Sequence, residues 1–181
     1  MTGVDIVLGA LGLVNLVLLL GVIRRLNEHT RVLAQTLAAA DPVPVMLTAG
    51  ARVGDFHATT VDGERVDRSD LTRFTLVGFV TASCPACAES LPAFLDRAAT
   101  VPGGRANVLA VVVGASRPAQ QLADRLRPVA RVVLERDEGG LVRAFGVVGF
   151  PAYALLSGDS IVVSHHDVHL VPEPASDALP A

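Results

Sequence analysis

Two cysteines, Cys84 and Cys87, are the only thiols in the 181-residue chain, and they stand in the run Thr81-Ala82-Ser83-Cys84-Pro85-Ala86-Cys87. Three chemistries are open to such a pair: a reversible dithiol/disulfide couple, two of the four ligands of a structural zinc, or two inert core residues. Residues i and i+3 in a first helical turn lie about 5.5 Å apart at Cα, inside disulfide range. The amide groups and positive dipole end of that turn favour a thiolate at Cys84. A zinc site would draw its other ligands from His57, His165, His166 and His169, whose spacing fits no zinc module. An inert pair leaves unexplained why both thiols fall at one strand-to-helix junction. The residues therefore point to redox chemistry, with no metal and no cofactor.

Elements on either side must hold that junction in place. Phe74 to Val80 reads as a continuous apolar strand of the kind buried on both faces, and Asn107 to Gly114 as a second. Between them a helix runs from about Cys84 to Ala98, with Ser83 expected as its N-cap and Pro102-Gly103-Gly104 ending it. A helix from Pro118 to Leu126, a strand from Arg131 to Leu134 and a short helix from Gly140 to Phe145 follow. Strands from Ala152 to Leu156 and from Ile161 to Ser164, joined by Ser157-Gly158-Asp159-Ser160, close the pattern. Upstream, Asp62-Gly63 marks a hairpin turn between short extended runs. This order predicts an α/β fold, a central mixed sheet with helices on both faces.

Composition sets the wider frame. The chain is 51% hydrophobic with a mean hydropathy of +0.49, which excludes a disordered chain, and its net charge of −3 gives no basic excess to recommend a nucleic-acid partner. Much of the apolar excess lies in residues 6–23, which carry no charge and approach the roughly 20 residues that a bilayer-spanning helix needs. Residues 4–23 are read as a transmembrane anchor with the lipid bilayer as partner, 24–40 as an amphipathic helical stem, and 41–52 as a linker. The folded domain is placed at 53–170 and a disordered tail at 171–181. No basic residue precedes the span, so it does not read as a cleaved signal peptide. Arg24, Arg25 and Arg31 follow it, and the positive-inside rule argues for a cytoplasmic domain.

These motifs together resemble the thioredoxin-like superfamily, and more closely the membrane-anchored disulfide reductases of the TlpA/ResA type and their MauD relatives. The resemblance rests on Gly54-Asp55-Phe56 leading into Asp62-Gly63, on the strand ending in Phe79-Val80, on Cys84-Pro85-Ala86-Cys87, on Pro92 and on Phe150-Pro151. It spans roughly residues 53–163. It implies a cis peptide bond before Pro151, a helix kinked at Pro92, and a substrate chain that pairs with the backbone of Phe150. It also implies an extracytoplasmic domain, against the arginines. The chain departs from the family at three places: Gly78 stands where thioredoxins carry an acid, Ser90 where many TlpA-like reductases carry Glu, and Ser83 where a Trp is usual. Glu89, one step off, faces elsewhere on the helix.

The leading expectation is thiol–disulfide exchange with protein disulfide or dithiol substrates, Cys84 as nucleophile and Cys87 resolving, supported by Thr81, Ser83 and Pro85. Without a flavin or nucleotide motif, the electrons pass to or from a protein donor or acceptor. Two competitors are a peroxiredoxin-like peroxidase, for which Thr81 fits but Val77 replaces the expected Pro, and a non-catalytic, membrane-tethered assembly module. The absent acid and the segment Ser164-His165-His166-Asp167-Val168-His169, where relatives carry a further helix, favour the last. That histidine group is read as a solvated chain end.

Overall fold

The computed structural model describes residues 44–71 and 74–173. The anchor, the stem, residues 41–43 of the linker and the tail beyond residue 173 lie outside the described residues. Among the described residues no helix is long and apolar enough to cross a membrane.

A small antiparallel hairpin comes first, β1 (His57–Thr59) paired with β2 (Arg65–Asp67). Its turn contains Gly63 at φ 82, a left-handed conformation that suits glycine, and the Thr60 hydroxyl accepts the amides of Asp62 and Glu64. The main sheet follows: β3 (Thr75–Thr81), β4 (Val108–Val113), β5 (Arg131–Glu135), β6 (Ala152–Ser157) and β7 (Ser160–His165). Its strand order is β5-β4-β3-β6-β7, with β3 and β5 parallel to β4, and β6 antiparallel to both β3 and β7. The mixed sheet is as the apolar runs and the closing turn predict.

The helices are α1 (Pro85–Thr100), α2 (Arg117–Leu126) and α3 (Gly140–Ala144). Alternation along β3 sorts the core into two layers. Leu76 and Val80 pack with Leu91, Phe94 and Ala98 of α1 and Ala119, Ala123 and Leu126 of α2. Val77 and Phe79 pack on the opposite face with Phe56, Met46, Leu141 and Phe145. Helix α1 buries Cys87, Leu91, Phe94 and Ala98, steps of four, three and four that keep one face inward. It continues through Pro92, which lies exposed, to Thr100.

Three sequence expectations change at this level. The N-cap of α1 is Cys84, not Ser83, because Pro85 occupies the first helical position and the Cys84 sulfur accepts the Cys87 amide. The linker is tied to the domain at its middle: Met46 is buried, and Leu47 donates its amide to the Phe145 carbonyl at 3.0 Å. The chain after β7 is likewise more than a solvated end. A 3₁₀ turn, Val168–Leu170, capped by the Asp167 carboxylate, sets Val168 and Val171 into the α1 face of the core, and Arg97 donates to the Val171 carbonyl at 2.6 Å.

Candidate redox site

Strand β3 ends at Thr81, and the chain turns through Ala82 and Ser83 before α1 starts. Cys84 takes extended backbone angles, φ −94 and ψ 115, so its sulfur faces the free amides of the first turn. The Cys87 amide donates to Cys84 Sγ at 3.2 Å, and the Cys84 thiol donates in turn to the Phe150 carbonyl at 3.6 Å. The bond from Phe150 to Pro151 is cis, as the resemblance implied. The two cysteines and the Phe150-Pro151 loop, 66 residues apart in sequence, are thus one site.

The two thiols, both free, differ in environment. Cys84 is half-buried, whereas Cys87 is 3% exposed. Burial pushes the Cys87 thiol from its ordinary 9.0 to about 12, with the hydrogen bond to Cys84 as the next cause. One sulfur is therefore reachable and held by an amide, and the other is kept protonated underneath. Beside them a cleft of about 240 Å³ opens between α1 and α2, lined by Thr81, Ala82, Cys84 and Leu91 on one wall and by Leu122 and Arg125 on the other.

The remaining sequence candidates take lesser places. Ser83 is exposed, its hydroxyl 3.3 Å from that of Thr81; Pro85 is exposed at the first turn. Glu89 is exposed as expected. His165 accepts the Asp167 amide at 2.9 Å, and its ring lies 4.3 Å from that of His166. Among the described residues no group of three or more His, Cys, Asp or Glu is assembled as a metal site.

One residue of the site escapes sequence reasoning altogether. Tyr153, fully buried on β6, stacks on Phe94 with centroids 5.3 Å apart and brings its hydroxyl within 2.6 Å of Ser90 Oγ. The two rings also account for Gly78: a Cβ there would lie 2.8 Å from Phe94 and 3.3 Å from Tyr153. An acid cannot occupy this position without displacing a ring. The available signals were small, a Tyr two residues beyond the predicted cis-proline and the only Tyr in the chain.

The arrangement can be set against known proteins. No curated protein sequence matches the chain. Solved structures share its fold: the thioredoxin domain of a thiol-disulfide oxidoreductase from Bacteroides vulgatus matches with a TM-score of 0.51 at 18% identity, covering 65% of this chain and 88% of that one. A thiol:disulfide interchange protein from a Bacteroides species matches with a TM-score of 0.51 at 18% identity, over 65% of this chain and 81% of its own. The family model named Redoxin matches residues 40–179, a stretch that holds both cysteines, the cis-proline loop and every strand of the sheet. The chain therefore belongs to the Redoxin family, on a thioredoxin-like fold.

Proposed function

We propose that this chain is a thiol–disulfide oxidoreductase that exchanges disulfides with protein substrates through Cys84 and Cys87. The observation that carries the reading is the asymmetry of the pair: Cys84 is reachable, held by an amide and adjacent to the Phe150 carbonyl, with Cys87 buried behind it. Cys84, as thiolate, attacks one sulfur of a substrate disulfide. A Cys84–substrate bond forms, the substrate S–S bond breaks, and the departing thiolate takes a proton from water. Cys87 then gives its proton to solvent and attacks Cys84 Sγ, forming the Cys84–Cys87 disulfide and releasing the second substrate thiol. The substrate gains two electrons and the chain loses two, which a protein dithiol donor restores. Run in reverse, the same steps oxidise a dithiol substrate.

Trapping tests this directly. Cys87→Ala removes the resolving thiol, so a mixed disulfide to a protein substrate accumulates through Cys84 and disappears in Cys84→Ala. Failure of any such species to form overturns the reading.

The finer assignment is a membrane-anchored reductase of the TlpA/ResA type, similar to MauD proteins, with residues 4–23 in the bilayer and the domain outside the cytoplasm. The uncharged run 6–23 and the family motifs support it, and Arg24 and Arg25 argue for the opposite orientation. Protease protection of the carboxyl terminus in sealed vesicles distinguishes the two sides, and a cytoplasmic domain overturns the extracytoplasmic assignment.

A further inference from the structure

Ser90 lies one helical turn after Cys87, and its hydroxyl donates to the Cys87 carbonyl at 3.3 Å. The same oxygen lies 2.6 Å from the Tyr153 hydroxyl, in a hydrogen bond that either hydroxyl can donate. Ser90 Oγ thus stands between the Tyr153 hydroxyl and the Cys87 carbonyl, within hydrogen-bond distance of both.

These contacts join the two halves of the site. Ser90 and Cys87 belong to the first turns of α1, whereas Tyr153 is the second residue of β6, three after Phe150, whose carbonyl faces Cys84 Sγ. Stacking on Phe94 and complete burial fix the phenol ring, so its hydroxyl is a rigid anchor point. The Gly78 packing leaves no room for a carboxylate in this region, and these hydroxyls are the polar groups present instead. We propose that the Ser90–Tyr153 pair is a positioning element that holds Cys87 in register with the Phe150-Pro151 loop while the mixed disulfide is resolved. The inference rests on the oxidoreductase reading.

Ellman's reagent separates the two steps in the full-length reduced chain. Attack by Cys84 releases one equivalent of the coloured thiolate, and resolution by Cys87 releases the second. Tyr153→Phe and Ser90→Ala each leave the first release within about twofold and slow the second about five- to tenfold, the rate equivalent of one neutral hydrogen bond. Ser90→Thr, which keeps the hydroxyl, restores the second release. The double variant is no slower than Ser90→Ala alone, because the serine change already removes the bond to Tyr153. Ser90→Ala breaks the bond without touching the buried ring, so it decides the matter if Tyr153→Phe fails to fold. A second release unchanged in the variants, or slowed no more than the first, overturns the inference alone. A wild-type chain that gives no second release overturns the oxidoreductase reading and the inference with it.

Discussion

At the residue scale, burial rather than charge governs the site's titration. Cys87 is raised from 9.0 to about 12, by burial first, and Tyr153 from 10.0 to about 12, again by burial first, with the Ser90 hydrogen bond pulling the other way. Both shifts mean that the folded chain holds its protons to higher pH than the unfolded chain does. Their contribution to stability is fully present below pH 9 and is lost as the pH rises toward 12, because the unfolded state releases its protons first. The reduced protein therefore loses stability across that alkaline window. Denaturant titrations at stepped pH show the slope, and Cys87→Ala combined with Tyr153→Phe flattens it. An equal slope in that double variant means that other groups carry the alkaline loss. Histidine behaves in the opposite sense at His165, where burial and then the neighbouring His166 hold the imidazole below its usual value.

At the scale of elements, what could be read from sequence depended on how far apart the interacting residues lie in the chain. β3 and β4 were legible because both are unbroken apolar runs, and every residue of β4 is buried. The cysteine junction was legible because a strand end, two thiols and a helix start fall within a few residues. The cap differs by one residue from the sequence expectation because the Cys84 sulfur takes the role of a hydroxyl and Pro85 holds the first helical position. The Ser90–Tyr153 bond links residues 63 positions apart, and no local pattern announces it. Gly78 belongs to the same group, since its absent side chain is explained by rings on α1 and β6. Gly78→Ala forces the Phe94 ring to give way and costs about 1–3 kcal/mol, the usual range for overpacking a filled core. Calorimetric melting measures it, and a melting temperature equal to the wild type's would mean that the rings yield freely.

At the scale of the whole molecule, the two ends of the described chain carry more of the fold than their composition implies. Pro and small residues near positions 41–52 and 171–181 read as linker and tail, yet Met46 closes one face of the sheet and Val168 with Val171 close the other. Their signal is weak because they lie in or beside short apolar clusters, Val45-Met46-Leu47 and Leu170-Val171, rather than in a periodic run, and periodicity is what marks an element in sequence. The short 3₁₀ turn thus covers a face of α1 with two valines and the Arg97 bond to the Val171 carbonyl. Each of those valines is 1% exposed or less, and burying one stabilises by about 1.5 kcal/mol or more. Against a total stability of about 5–15 kcal/mol, losing both is a large fraction. A stop after Asp167 therefore lowers the melting temperature by several degrees relative to a stop after Glu173 and uncovers the α1 face to a hydrophobic dye. Equal melting of the two truncated chains would show that the turn covers the core without stabilising it. The same comparison separates structure from chemistry, because Cys84 and Cys87 lie at the opposite end of α1 from Arg97, so the Asp167 stop weakens the fold while the first release from Ellman's reagent persists below its melting temperature.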